Sequence, residues 1–212
     1  MISLLLDTSN FKLVVAVVDE DKNEVLSYYN EKLNSDLSVK VFEVIKQCID
    51  NANIIPNDID KIYSITGPGS FTGVRIGVTI CKTFAWTLNK KVIPISSLEL
   101  LASTNTNYEL NVAMIDARRD CVYAGVYDNE LNTVIEDRYI SIEQLLLELK
   151  DKNYILISDD DFENINKINS KIDILKVINK HKNDVGVNPH SLNPTYLKIT
   201  EAEAKLQTKN ND

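Results

Sequence analysis

Residues 4–25 read LLLDTSNFKLVVAVVDEDKNEV, and residues 113–134 read AMIDARRDCVYAGVYDNELNTV. When the chain is shifted by 109 residues without gaps, these two segments coincide, and apolar positions fall on apolar positions nearly throughout. Asp7 falls on Asp116 and Val17 on Val126, and three further positions are identical. Repetition of this kind predicts that the chain contains the same structural unit twice.

The order of the predicted elements is the same in both halves. In the first half the sequence predicts strands at 2–6, 11–18, 25–29, 62–66 and 92–95. It predicts helices at 38–51, 72–88 and 97–103. In the second half it predicts strands at 112–115, 121–127, 133–139 and 154–158 and a helix at 141–150, and Thr200 with Glu203 predicts a cap for a last short helix.

These elements predict an α/β protein of two tandem β-β-β-α-β-α units. Two such units facing each other form the duplicated fold of the actin, Hsp70 and sugar-kinase (RNase H-like) type. The polar stretch STNTNYELN separates them. We therefore expect an N-terminal lobe at 1–103, which includes the helix of GPGSFTG, and a smaller, degenerate C-terminal lobe at 104–212.

Composition excludes several classes of protein. The 212 residues include 31 acidic and 23 basic side chains, with a formal net charge of −8. This balance argues against a free-standing nucleic-acid binder, which needs clustered cations. No apolar run approaches the ~20 residues of a membrane helix, and the N-terminus lacks the basic region of a signal peptide. The three cysteines, without metal-ligand spacing, predict reduced thiols in a cytoplasmic protein.

Four of the six glycines lie in TGPGSFTGVRIG at 66–77, between a predicted strand and a predicted helix. Such a turn presents backbone N–H groups that can bind a phosphate or carboxylate, or it can serve tight turning and close packing, and both interpretations stay open. A P-loop lacks its Lys-Ser/Thr here, and Thr72 stands where a dinucleotide fingerprint needs glycine. The candidate anion- or nucleotide-binding residues are Asp7, Thr8, Ser9, Gly67, Gly69, Ser70, Gly73, Arg118 and Arg119.

The predicted helix at 72–88 is apolar on most of its sides, which indicates that more than one side is covered. Gly73, Gly77, Cys81 and Ala85 form a ridge of small side chains that a second helix could approach closely. The partner is the helix at 38–51, another subunit or both, and we favour a mixture in which the subunit interface predominates. The candidate interface residues are Val39, Phe42, Glu43, Lys46, Thr72, Arg75, Ile76, Val78, Thr79, Lys82, Thr83 and Trp86.

The segments LLLDTSN, GPGSFTGVRIG, ISSLELLA, MIDARRDCVYAGVYD and NPTYLK, in this order, resemble the bacterial TsaB (YeaZ) family. The resemblance implies an actin-like fold and a role in making threonylcarbamoyladenosine beside the anticodon of tRNA. In that pathway a TsaD subunit transfers the threonylcarbamoyl group, and TsaB pairs with TsaD and with the ATPase TsaE. TsaB is the non-catalytic, dimerising member, so we expect a homodimer when the chain is alone and only indirect contact with tRNA.

The residues themselves also favour a chain without catalytic residues. The two hairpin turns that hold phosphates in ATPases of this fold, at 7–10 and 116–120, contain no glycine, and three aspartates at 159–161 follow the strand on the adenosine side. The two histidines, His181 and His190, do not make a metal site. The family's frequent His-Ser-Glu is here Asn34-Ser35-Asp36. We expect no cofactor and no metal, unless ATP or ADP with Mg²⁺ binds weakly or at an interface within a complex.

Two other functions remain to be weighed. The fold permits an ATP-dependent phosphotransferase or ATPase that uses Asp7 or Asp116 with Mg²⁺. A peptidase, suggested by the older family name glycoprotease, is disfavoured because no Ser–His–Asp or Cys–His pair can be discerned.

Overall fold

The computed structural model describes residues 1–32 and 37–198, so the predictions at 34–36 and at 200–203 lie outside the described residues. The first lobe contains β1 (Ile2–Asp7), β2 (Lys12–Asp19), β3 (Glu24–Lys32), α1 (Leu37–Asn51), β4 (Ile59–Ile65), α2 (Phe71–Thr87), β5 (Val92–Ile95) and α3 (Ser97–Ala102). The second lobe contains β6 (Leu110–Asp116), β7 (Cys121–Asp128), β8 (Thr133–Ser141), α4 (Ile142–Leu149), β9 (Tyr154–Ile157) and α5 (Ile174–His181).

The two sheets share one topology, which confirms the duplicated α/β fold. The strand orders are β3-β2-β1-β4-β5 and β8-β7-β6-β9, with the first three strands of each lobe antiparallel and the later ones parallel. Strands β1 and β2 are almost wholly buried because both of their faces are covered, which explains their continuous apolar sequence.

The repeat is looser in register than in sequence. Asp7 pairs with Val14 across the first hairpin, which leaves six residues between them, whereas Asp116 pairs with Val122 and leaves five. One gapless shift therefore superposes β1 on β6 but places β7 one residue out of step with β2. Because successive side chains of a strand point to opposite faces, the two hairpins do not present equivalent residues to the core.

Helix α3 lies between the two sheets. One hydrophobic cluster combines Leu5 of the first sheet, Leu98 and Leu101 of α3, and Ala113 and Tyr127 of the second sheet. Ser96 caps the N-terminus of α3, because its hydroxyl accepts a hydrogen bond from the backbone N–H of Leu98. The two lobes therefore share a continuous apolar core.

Helix α5 is the one α-helix among the described residues that the sequence did not predict. It has eight residues and lies in a segment rich in Asn, Lys and Asp, so its periodic signal is short. Asp173 caps its N-terminus by accepting from the backbone N–H of Lys176, and the helix buries Ile174, Val177 and Ile178. An N-cap followed by this spacing is the signal that could have identified it.

The C-terminal part of the described chain returns to the first lobe. Val187 pairs with Val92 of β5, and Leu192 is buried in the core beneath α2. The predicted boundary between 103 and 104 falls between α3 and β6. Residues 187–196 follow that boundary in sequence but pack with the first sheet. No helix among the described residues is long and apolar enough to cross a membrane.

Candidate functional site

The glycine-rich loop packs against the turn that follows β1. A Cβ atom on Gly69 would lie 2.2 Å from the carbonyl oxygen of Ser9, and one on Gly73 would lie 2.1 Å from that of Thr8. The Thr8 hydroxyl donates a hydrogen bond of 2.7 Å to the carbonyl oxygen of Gly73. The glycines are therefore required for close packing, which was one of the two interpretations that the sequence left open.

This packing corrects the expected partner of the small-residue ridge on α2. A Cβ on Gly77 would lie 2.3 Å from the Thr8 hydroxyl, and Cys81 and Ala85 are buried in the core of the same lobe. The ridge thus meets the chain's own first hairpin and sheet, and the expectation that the helix at 38–51 or another subunit approaches it is wrong. Small side chains indicate a close neighbour but do not identify it.

Polar groups at the first hairpin and the start of α2 bond mainly to one another. Asp7 accepts from the backbone N–H of Ser9, and burial raises the pKa of the Asp7 carboxyl. The backbone N–H of Ser70 donates to the Ser9 carbonyl, and the Ser70 hydroxyl caps α2 by accepting from the backbone N–H of Gly73. An incoming phosphate would have to displace these bonds.

The second hairpin also bonds to carboxylates of this chain. The backbone N–H of Arg118 donates to the carboxylate of Asp116, and the N–H of Asp116 donates to Asp160 at 2.8 Å. Burial raises the pKa of Asp160. Across the lobes, Lys12 of β2 pairs with Asp159 at 2.7 Å. Aspartates of the 159–161 run therefore bond to both hairpins, including a backbone donor of the second.

An interlobe cleft of about 490 Å³ separates the two hairpins. Asn10, Ser70 and Thr72 line it from the first lobe, and Asp116, Arg118 and Asp160 line it from the second. Of the nine candidate anion-binding residues, only Gly69, Ser70 and Arg118 belong to its lining. The structure thus packs Thr8, Ser9, Gly69 and Gly73 against one another but leaves most of the predicted set outside the cleft. Two carboxylates, Asp116 and Asp160, line the cleft, and their charge opposes a phosphate there.

Metal-ligating side chains do not cluster in the part of the chain that the structure describes. No group of three or more His, Cys, Asp or Glu there could hold a metal ion. His181 instead lies between two carboxylates, 2.7 Å from Glu99 and 2.7 Å from Asp184, and His190 packs edge-on against Trp86.

An apolar groove runs between α1 and α2 on the outer side of the first lobe. Its volume is about 500 Å³, and its apolar lining consists of Phe42, Phe71, Ile76 and Ile80. Phe42 is 55% exposed and Phe71 is 52% exposed, and Trp86 lies further along α2 at 67%. Large apolar side chains grouped on one surface mark a site of protein association more often than scattered ones do.

Most of the candidate interface residues lie on this exposed surface. Ile76 and Lys82 are half-buried, and the exposed members are Val39, Phe42, Glu43, Lys46, Thr72, Arg75, Thr79, Thr83 and Trp86. Val78 is the exception, since it is buried in the core, so its expected exposure is wrong. With Val74, Cys81 and Ala85 it forms the inward stripe of α2.

Two aromatic residues of this surface were missed by the sequence analysis. Phe71 begins α2, and Tyr196 lies in the segment NPTYLK, with ring centroids 5.3 Å apart. The guanidinium carbon of Arg75 lies 3.8 Å from the centroid of the Phe71 ring. The presence of Tyr196 in a motif of the family resemblance was the available signal, but its position beside α2 required the fold.

A two-lobed chain with these strand orders has the fold class of actin and the sugar kinases. Two solved structures from Pseudomonas aeruginosa share the fold. One is described as YeaZ, with a TM-score of 0.79 and 24% identity over 92% of this chain and 99% of that chain. The other is described as an uncharacterized protein with similarity to peptidase YEAZ, with a TM-score of 0.80 and 23% identity over 93% and 99%.

Sequence comparisons give the family. The model described as "TsaD: tRNA N6-adenosine threonylcarbamoyltransferase" matches residues 31–190. The tRNA threonylcarbamoyladenosine biosynthesis protein TsaB of Bacillus subtilis is 33% identical, with 97% of both chains covered. The protein of that name from Haemophilus influenzae is 30% identical over 71% of this chain and 68% of its own. The chain belongs to the TsaB (YeaZ) family, as its motifs predicted.

Proposed function

We propose that this chain is a non-catalytic partner subunit in the biosynthesis of threonylcarbamoyladenosine in tRNA. It pairs with a TsaD-type catalytic subunit, which transfers the threonylcarbamoyl group to the adenosine N6 beside the anticodon, and with a TsaE-type ATPase. The observation that carries the proposal is the exposed apolar groove between α1 and α2, in a chain whose relatives are named for this pathway. Such an assembly works in the cytoplasm, where we place the chain.

The groove supports pairing because its apolar side chains lose contact with water when a partner covers them. Burial of apolar surface contributes roughly 25 cal/mol per Å². The same surface allows self-association with twofold symmetry when the catalytic subunit is absent. Binding of this kind stabilises the partner by mass action and needs no chemistry from this chain.

The interlobe cleft supports the absence of catalysis. Both hairpins that would hold phosphates bond to carboxylates of this chain, Asp7, Asp116 and Asp160 among them. A triphosphate would have to replace these bonds and to approach carboxylates of its own sign. We therefore propose that the isolated chain holds no nucleotide, that any ATP or ADP binds only within the complex, and that tRNA is contacted indirectly.

The test combines co-purification with a modification assay. The full chain is mixed with the catalytic subunit, the TsaE-type ATPase, threonylcarbamoyl-AMP and tRNA, and threonylcarbamoyladenosine is measured by mass spectrometry. Omission of this chain should abolish the product, and Phe42→Asp should abolish both co-purification and product. Leu147→Asp is the matched control, because Leu147 is 70% exposed on α4, away from the groove.

Two results would contradict the proposal. Phe42→Asp that pairs normally would show that the groove is not the interface. Equilibrium dialysis showing tight binding of Mg·ATP by the isolated chain, with turnover, would instead favour the phosphotransferase.

A further inference from the structure

The C-terminal end of the described chain lies beside the groove, in contact with two of its lining residues, Phe71 and Arg75. The backbone N–H of Thr195 donates a 2.7 Å hydrogen bond to the carbonyl of Thr66, at the end of β4. The Thr195 carbonyl lies so close to the glycine-rich loop that a Cβ on Gly67 would be 3.0 Å from it. Leu192 is 2% exposed and anchors the segment in the core. Residues 192–196 are therefore fixed to the first lobe beside α2.

This segment places Tyr196 against Arg75. The Nε of Arg75 donates a 2.8 Å hydrogen bond to the Tyr196 hydroxyl, and the guanidinium carbon lies 5.8 Å from the centroid of the Tyr196 ring. On its other side the guanidinium stacks on Phe71 at 3.8 Å. All three side chains are exposed, yet ring stacking and the Nε bond together fix the plane of the guanidinium.

The held guanidinium has donors to spare. Arg75 carries five N–H groups, of which Nε is used, and its two terminal nitrogens bond to no residue within 1–32 or 37–198. A planar guanidinium with a fixed orientation suits a carboxylate, which accepts two parallel hydrogen bonds from it. Lysine cannot supply this geometry, and Arg75 is the only arginine on α2.

The surroundings decide what kind of molecule brings the acceptor. Arg75 borders a groove lined by Phe42, Ile76 and Ile80, which a nucleic-acid backbone could not fill. The chain also carries a net charge of −8, which opposes nucleic-acid binding. The surface fits a protein that offers apolar side chains for the groove and an Asp or Glu at its edge.

On the basis of the proposed function, we infer that Arg75 receives a carboxylate of the catalytic partner subunit. Tyr196, which the C-terminal segment delivers, is the positioning residue that orients the guanidinium. The docking surface therefore combines α1 and α2 with Tyr196, which adjoins the groove through Phe71 and Arg75.

The test measures the dissociation constant of the full chain and the catalytic subunit by titration calorimetry at low and at high salt. Arg75→Gln should weaken binding about 10- to 100-fold, as expected for hydrogen bonds to a charged group, and should flatten the salt dependence. Arg75→Lys keeps the charge but loses the planar fork, so it should weaken binding about tenfold. Tyr196→Phe keeps the ring and loses only the acceptor of Nε, with an expected loss of about fivefold.

A double variant separates positioning from simple contact. If Tyr196 acts through Arg75, Tyr196→Phe should have no further effect on a chain that already carries Arg75→Gln. Independent losses that multiply would overturn the positioning role. Lys22→Gln, on the β2–β3 turn outside the groove, is the matched control for removal of one positive charge, and unchanged urea midpoints show that each variant folds.

Failure of this inference differs from failure of the proposed function. If Phe42→Asp abolishes pairing but Arg75→Gln binds like the wild type, or keeps its salt dependence, the carboxylate receptor is wrong and the pairing surface stands. If the wild-type chain does not bind the catalytic subunit at all, or its omission leaves the modified tRNA unchanged, the proposed function itself fails. If Arg75→Gln weakens binding of isolated tRNA and leaves the protein partner unaffected, the receptor serves nucleic acid and the inference is overturned.

Discussion

The interlobe cleft and the α1–α2 groove have almost the same volume, about 490 and 500 Å³, and opposite chemistry. The cleft is polar, and hairpin donors around it already bond to aspartates of the same chain. The groove is apolar, and large side chains in it stay exposed. The difference teaches that two cavities of equal volume can differ in what they offer: donors around the cleft are already bonded within the chain, whereas the groove exposes apolar side chains that a partner could bury.

The largest expected effect compares Gly69, which packs against the first hairpin, with Phe71, which is exposed in the groove. Gly69→Ala should cost roughly 3 kcal/mol or more of unfolding free energy, because its Cβ would overlap the Ser9 carbonyl at 2.2 Å and its φ of +153° disfavours side chains. Phe71→Ser should cost less than about 1 kcal/mol, since Phe71 is half exposed. Urea unfolding followed by circular dichroism measures both, and equal losses would break the contrast.

The next effect compares the two faces of the groove helices. Val78→Ala should cost roughly 2 kcal/mol, because Val78 is 3% exposed and its loss leaves a cavity in the core. Val39→Ala, at 60% exposure, should change stability by less than about 0.5 kcal/mol. Pairing with the catalytic subunit should be kept in Val78→Ala. A reversed order of stability would mean that α2 is rotated relative to the structure.

The third effect compares the ion pair between the lobes, Lys12 with Asp159, with an exposed ion pair on α1. Asp159→Asn should lower the free energy of unfolding by roughly 1–3 kcal/mol. The buried carboxylate accepts hydrogen bonds from Ser170, and its replacement leaves Lys12 without its ion-pair partner. Asp50→Asn, which breaks the exposed pair with Lys46, should cost about 0.5 kcal/mol or less. Thermal unfolding at low and high salt measures both, and a loss at Asp50 as large as at Asp159 would show that the ion pair between the lobes contributes no more than an exposed one.

The smallest effect concerns pH. Burial lowers the pKa of His181, but hydrogen bonds to Glu99 and Asp184 outweigh it, so the net pKa is raised. A raised pKa in the folded state contributes stability that is full below the ordinary value near 6.5 and is lost as pH rises through the folded value. Stability should therefore fall by about 1 kcal/mol above neutral pH. His181→Gln should remove that fall, and an unchanged pH profile in the variant would show that His181 does not cause it.

Sequence reasoning located the fold well because each element carried its own local signal. The prediction of 38–51 matches α1 at Leu37–Asn51, and that of 72–88 matches α2 at Phe71–Thr87. Serines cap α3 and α4 immediately before their first residues, which is a signal that neighbouring residues carry. Periodicity and caps are properties of neighbouring residues, so one chain suffices to find them.

The candidate site was harder to predict because it depends on contacts between distant segments. The glycine ridge indicated a close neighbour, but only the fold identifies that neighbour as Thr8. Val78 was misplaced because α2 is apolar on several sides, so the pattern could not separate its inward stripe from the groove. Tyr196 lies 121 residues from Arg75, and no local pattern joins them.

The position of α3 has a mechanical consequence. In many two-lobed enzymes the lobes rotate about a hinge and close around the substrate. Here α3 lies between the two sheets and packs its apolar side chains against both, so the two lobes are joined through one hydrophobic core. A fused body offers its neighbour a preformed template, and little ordering entropy has to be spent when the two meet.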